Sequence, residues 1–270
     1  MEIIVCFRAV QDMSFAKDEN WSTDPEICLD GYFGRVFDQY DESALEMALR
    51  IRNLLADKGR PCRLRAITLE NFDDSRLYER LFALGYDSVE RICLEQDDHV
   101  PALRYVPIDR GQIIANHLSG AKDAQLILCG IQGGICGSRL TGISLSRFLG
   151  LPCLFNVSEV SVDNGGNLVA QIHSEGFIIS GKLRTPSVLL IGNTENSLLR
   201  VPTLKAKLAA RDKNAKVYPV KKPAATINTV KITVTRQVTK RQCRLVKGKN
   251  TEYCDIILST FGSSGGEEVG

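Results

Sequence analysis

Strand-sized apolar runs alternate with amphipathic stretches over the first half of the chain, and that alternation leaves few folds open. The runs "EIIVCFRAV" (2–10), "CRLRAITL" (62–69), "SVERICL" (88–94) and "AQLILC" (124–129) carry mostly apolar residues, as strands covered on both faces do. Between them lie helical patterns. In "FDQYDESALEMALRIRNLLAD", Ala44, Leu45, Ala48, Leu49, Arg52 and Leu55 fall at three-and-four spacing, with Asp41 and Glu42 in the first turn, where the helix dipole favours acids. Residues 73–85 form a second helical pattern ended by Gly85, 109–121 a third, and 138–149 a fourth, halted by "GLP". Strand-helix alternation of this kind predicts an α/β fold: a doubly wound, mostly parallel sheet with helices on both faces.

Past Pro152 the pattern changes. Residues 153–192 are strand-rich, with "DNGG" as the turn of an antiparallel hairpin. From Asn193 the periodicity fades, the chain turns basic in "LKAKLAARDKNAKVYPVKKP", and it ends in "GSSGGEEVG". The expected organisation is a nucleotide-binding α/β domain over 1–192, a docking loop and basic segment over 193–222, and an extended C-terminal arm over 223–270 that lies on a partner, with a disordered tail from about 262. The polar stretch between Gln11 and Val36 reads as a long loop.

Composition rules out several function classes. A formal net charge of +2 gives no chain-wide pull toward nucleic acid or a membrane surface. No apolar run approaches a bilayer span, and the strand at the N-terminus leaves no room for a signal peptide, so a cytoplasmic location is expected. The nine cysteines include no CxxC pair and several sit in apolar runs, which reads as packed, reduced thiols with no metal site. "GSSGG" matches a serine-nucleophile elbow in letters but lacks the helix that holds such a turn. Adjacent Asp41 and Glu42 point different ways from a helix start and read as capping acids.

The stretch "GIQGGICGSRLTG" (130–142) stands between a strand and a helix, where a doubly wound sheet binds its ligands. Glycines let backbone amides approach a phosphate, and the following helix start adds partial positive charge. Arg139 can fork onto a phosphate, and Ser138 and Thr141 can donate hydroxyls. The spacing fits neither the dinucleotide fingerprint nor the P-loop.

Taken together these stretches resemble the beta subunit of electron transfer flavoprotein, over roughly the first 220 residues, with this chain a divergent bacterial member. "IIVCFRAVQD" is similar to the family's first strand, with Arg8, Val10 and Asp12 in matching places. "DQYDESALEMALR" resembles "NPFDEIAVEEALR" through Tyr40, Asp41, Glu42, Ala44 and Glu46. "LFALGYDSV" is similar to "ALAMGADRA", and the glycine-rich stretch resembles "GKQAIDDDxNQTG", keeping Gly130, Gln132, Thr141 and Gly142. "LRVPTLKAK" is similar to "YATLPNIMKAK" through Pro202 and Lys205 to Lys207. The chain departs from the pattern at Asp38, where the family has Asn, and at Ile135, Cys136, Gly137, Arg139 and Leu140, which replace an acidic triplet and "NQ".

The resemblance implies an adenine-nucleotide-hydrolase-like sheet and an electron carrier with no catalytic residues of its own. It implies pairing with an alpha subunit that shares an FAD, an AMP or a second FAD in the beta subunit, a flavin dehydrogenase as electron donor, and a downstream acceptor. Whether electrons are bifurcated is left open. Carried over, the cofactor residues are Cys6, Asp38, Gln39, Tyr40, Asp41, Leu69, Gly130, Gln132, Gly133, Gly134, Gly137, Ser138, Arg139, Leu140 and Thr141. The docking residues are Asn193, Leu198, Leu199, Pro202 and Lys205. The alternative is a nucleotide-binding regulatory module of the universal-stress type, whose third motif glycine would fall on Ile143.

Overall fold

The computed structural model describes residues 1–12, 14, 34–70, 73–95, 107–120, 124–133, 138–192, 194 and 197–221. All lie in the first of two compact units, Met1–Ile232; the second is Thr233–Gly270. The C-terminal arm, the tail, Gly134, Gly137 and Asn193 fall outside the described residues.

The chain opens with β1 (Glu2–Phe7) and β2 (Ala9–Gln11), then β3 (Arg35–Phe37), α1 (Gln39–Ala56), β4 (Arg63–Leu69), α2 (Ser75–Ala83) and β5 (Ser88–Leu94). It continues through α3 (Pro107–Leu118), β6 (Ala124–Gly130), α4 (Leu140–Leu149), β7 (Cys153–Val162), β8 (Leu168–Ser174), β9 (Phe177–Lys182) and β10 (Ser187–Ile191). α5 (Leu204–Ala210) and β11 (Lys216–Val220) complete it.

Nine strands form one sheet in the order β11-β5-β4-β1-β6-β10-β7-β8-β9. From β11 to β7 every pairing is parallel; β8 and β9 extend the far edge antiparallel, turning at Asp163–Gly166 and again at Glu175–Gly176. The fold is α/β and doubly wound. The pleat of β1 divides the core: Ile3, Val5 and Phe7 face the layer that holds α1 and α2, while Ile4 and Cys6 face α3 and α4. Central strands carry apolar side chains at consecutive positions because both of their faces are covered, as in the fully buried β10, Ser187–Ile191.

Two expectations change. The first apolar run is not one strand but two, broken at Arg8; β2 leaves the main sheet and pairs antiparallel with β3. The basic stretch after Pro202 is also not aperiodic throughout. α5 is capped by Thr203, whose hydroxyl accepts the Ala206 N–H at 3.2 Å, and β11 adds a parallel edge strand beside β5. Its alternating "KVYPV" pattern is an edge-strand pattern, with Pro219 tolerated at an edge.

The strand order places the topological switch beside β1. From β1 the chain winds outward through β4 and β5, then crosses back through α3 to β6 on the other side. The carboxyl ends of β1 and β6 therefore diverge into separate loops, and a crevice opens between them.

Candidate functional site

A cleft opens at that point. Its walls come from the end of β1 (Cys6, Phe7, Arg8), the start of α1 (Asp41), α3 (Arg110, Ile114), the end of β6 and its loop (Cys129 to Gly133), and the start of α4 with its approach (Ser138, Arg139, Thr141, Gly142, Leu145).

Arg8 and Asp41 organise it. Because β1 stops at Phe7, the Arg8 N–H is free of the ladder and donates to Asp41 Oδ2 at 3.0 Å. The guanidinium adds a longer Nε contact to the same oxygen at 3.4 Å and an ion pair from Nη2 to Asp38 Oδ2 at 2.7 Å. The other Asp41 oxygen accepts the Gly130 N–H at 3.0 Å. One carboxylate thus ties together the ends of β1 and β6 and the first turn of α1.

That carboxylate is only 5% exposed. Burial pushes its pKa up to about 6; Arg8 opposes the shift and the Asp38 charge adds to it. Burial alone would lower the Arg8 pKa, but Asp41 and Asp38 more than offset it and hold the guanidinium above its ordinary value. On the cleft floor Cys6 and Cys129 are register partners on β1 and β6. A hydrogen bond with Cys6, followed by burial, raises the Cys129 thiol above its usual pKa, which leaves it a poor nucleophile.

The glycines are there for close approach. A Cβ on Gly130 would stand 2.5 Å from Asp41 Oδ1 and 2.8 Å from the Asp41 backbone nitrogen; one on Gly133 would overlap the Arg8 guanidinium. One on Gly142 would collide with Leu190, so its absence lets α4 settle onto β10. α4 begins at Leu140, two residues later than the sequence pattern suggests, because Ser138 Oγ accepts the Leu140 N–H at 3.3 Å. Thr141 and Gly142, in the first turn of α4, line the cleft.

Arg110 escaped the sequence reading. It lies in the first turn of α3, is 4% exposed, and lines the cleft. Its Nη2 donates to Glu70 Oε1 at 3.3 Å, while its buried Nε has no partner. The available signal was the pair Arg110–Gly111 on the apolar side of a helix. A Cβ at Gly111 would stand 2.6 Å from Ser144 Cβ, so α3 and α4 touch there and Arg110 is carried inside.

A second cleft adjoins the first, lined by Tyr40, Ile131, Gln132, Arg139, Phe155, Asn156 and Gly192. Ile131, Gln132 and Arg139 belong to both: Arg139 Nε donates to Gln132 Oε1 at 3.1 Å, and its guanidinium lies 5.9 Å from the centre of the Phe155 ring. The space within the first cleft is about 30 Å³ and within the second about 190 Å³. The inner one has room for a single water or the oxygens of an anion. A nucleoside would need the outer space as well.

Of the expected cofactor residues, Cys6, Asp41, Gly130, Gln132, Gly133, Ser138, Arg139 and Thr141 line the inner cleft, and Tyr40 lines the outer one. Asp38 stands behind it, buried and paired with Arg8. Gln39, Leu69 and Leu140 line neither: Leu69 is in the apolar core, and Leu140 is largely exposed.

The expected docking segment is pinned at its base. The Arg200 guanidinium pairs with Glu46 on α1, Arg80 Nη2 donates to the Leu199 carbonyl at 2.9 Å, and Ser43 Oγ donates to the Ser197 carbonyl at 3.0 Å. This buries Leu199 in the core, so it is not presented for docking. Leu198 and Val201 are instead 74% and 77% exposed, with Leu204 and Leu208 also outward. Pro202 lines a groove with Val201, Arg76, Glu79, Arg80 and Lys207, and Lys205 is exposed beside it.

No protein-family model matches the chain. It is 24% identical over 218 residues to the electron transfer flavoprotein subunit beta of Mycobacterium bovis, and equally to that of Mycobacterium tuberculosis. Each match spans 80% of this chain and 77% of the relative. The likeness is distant. It is long enough to cover most of the described fold, and among the described residues no helix is long and apolar enough to cross a membrane.

Proposed function

We propose that this chain is a divergent beta subunit of an electron transfer flavoprotein. In this reading it pairs with an alpha subunit, binds AMP or a second FAD in the cleft at the β1–β6 switch, and helps carry electrons from a flavin dehydrogenase to a downstream acceptor in the cytoplasm. The observation that carries it is convergence: eight residues drawn from the family resemblance line one cleft, although they are scattered from Cys6 to Thr141. The 24% identity with two named beta subunits supports the same reading.

The residues present suit a nucleotide phosphate. Arg139 supplies a guanidinium, Ser138 and Thr141 supply hydroxyls beside a helix start, and Arg8 and Arg110, each already paired with a carboxylate, stand in the cleft wall. Bound flavin supplies the redox chemistry. The protein's part is to hold a nucleotide, exclude water from its phosphates and present the flavin-bearing partner correctly. Arg139 is the most exposed of the three arginines and moves most easily onto a ligand by releasing Gln132. Leu198, Val201 and their basic neighbours form the surface for the dehydrogenase.

Arg139→Ala is expected to weaken nucleotide retention by about tenfold, the low end for a charged hydrogen bond at an exposed site. Quantifying nucleotide released on denaturing the purified variant and wild type checks this. Equal content in both would remove Arg139 from the site.

A further inference from the structure

We infer that the free edge of β9 receives an extended apolar strand of the flavin-bearing alpha subunit, so that the sheet continues from one subunit into the other. The inference rests on the heterodimer proposed above and names a surface that makes it.

Among the described residues the nine-stranded sheet ends in two unlike edges, β11 and β9. An edge strand offers unpaired N–H and C=O groups to any other strand, and proteins ordinarily blunt it with lysine, proline or short length. β11 carries these devices: "KVYPV" is five residues long, opens on Lys216 and includes Pro219, which has no N–H to offer. β9 is built differently. Its "FIISGK" holds no proline and no charge before Lys182, at the end of the strand, which stands 3.9 Å from Asp163.

The side chains of β9 sharpen the contrast. Phe177, Ile178 and Ile179 are 73%, 63% and 54% exposed. Successive residues on a strand point to opposite faces, so apolar surface lies on both sides of this edge. Three large apolar side chains exposed in a row form a patch, where single ones would need no explanation. A strand added here gains main-chain hydrogen bonds along the edge and buries that patch on both faces.

The neighbourhood of β9 selects the partner. Ile178 pairs across the ladder with His173, whose carbonyl accepts Asn156 Nδ2 at 2.6 Å. Asn156 and the exposed Phe155 line the outer cleft. The apolar edge therefore adjoins the mouth of the space that a nucleoside needs. A subunit seated on β9 is brought beside that mouth, so one partner serves both the edge and the cleft. In the proposed function the partner that shares a cofactor with this chain is the alpha subunit.

The test is hydrogen exchange on the full-length chain, alone and in complex with an electron transfer flavoprotein alpha subunit, alongside the Kd of the pair. The expected result is that amides of Phe177–Lys182 exchange at least about tenfold more slowly in the complex. Ile178→Lys combined with Ile179→Lys is expected to weaken the pair at least about tenfold and to leave the melting temperature of the chain alone unchanged. A pair that forms while those amides exchange as they do in the chain alone overturns the inference and leaves the heterodimer standing. A Kd that the double variant does not move overturns it as well. Protection already present in the chain alone, and growing with its concentration, assigns the edge to a second copy and overturns the alpha-subunit assignment. No pair at all sinks the heterodimer and this surface together. The exchange measurement needs no variant and decides the matter even where the double variant fails to fold.

Discussion

Asp41 does two jobs that pull against each other. As an acceptor it joins Arg8, Gly130 and the first turn of α1; as a buried charge beside Asp38 it is held in place at a cost. Its folded pKa, about 6, lies above the ordinary carboxylate value of 3.8. The folded state therefore keeps a proton that the unfolded chain has lost, and the contribution of this group to stability falls as pH rises from about 4 to about 6, then levels off. The span is on the order of 3 kcal/mol. Thermal melts of the wild type and Asp41→Asn across that range should converge toward acid and diverge toward neutral pH, with the acid-side gain absent from the variant. Parallel curves would show that Asp41 titrates like a surface carboxylate. Residues of this kind were half legible in the sequence. Asp41 could be placed at a helix start, where a capping acid is the ordinary reading, but its reach to β1 and β6 depends on a strand break at Arg8 that an unbroken apolar run conceals. Arg110 was harder to read, because a lone arginine in an amphipathic helix is ordinarily a solvated one and only the adjacent Gly111 hints at a close helix contact.

At the scale of elements, periodicity served well where both faces of a strand are covered and poorly at the edges. The runs that became β1, β4, β5 and β6 stood out because their apolar residues are nearly continuous. α5 and β11 did not: α5 is a seven-residue helix and β11 a five-residue edge strand, both too short and too exposed to carry a strong period. Between α3 and α4 the important signal is a single missing Cβ. At an open helix site, Gly→Ala would gain up to about 1 kcal/mol. At Gly111 the new Cβ would meet Ser144 Cβ at 2.6 Å and the backbone at Leu145 N and Thr141 O, both at 2.9 Å. Backbone atoms cannot step aside, so Gly111→Ala should instead lose about 1–3 kcal/mol in denaturant unfolding and shift the start of α4. A net gain in stability would show that the helices part easily there.

For the whole molecule, the account joins a fold, a cleft and a surface. The doubly wound sheet puts the cleft at its switch point, as such sheets do for many ligands; the fold alone leaves the activity open. The narrower reading comes from matched residues and from a distant likeness to two mycobacterial beta subunits. The exposed pair Leu198 and Val201 tests the surface apart from the cleft. Leu198→Asp together with Val201→Asp should slow electron delivery from the dehydrogenase by about tenfold or more, the scale of losing two apolar anchors, with bound nucleotide unchanged. Unchanged electron transfer would move the docking surface elsewhere on the chain.

The central claim is that this protein holds a nucleotide while a partner holds the flavin. Co-expression with an electron transfer flavoprotein alpha subunit, followed by extraction and quantitation of bound cofactors, tests it most directly. The account predicts a heterodimer with flavin absorbance and an adenine nucleotide, or a second flavin, lost when the cleft is altered. A chain that stays single, colourless and free of nucleotide under those conditions contradicts it.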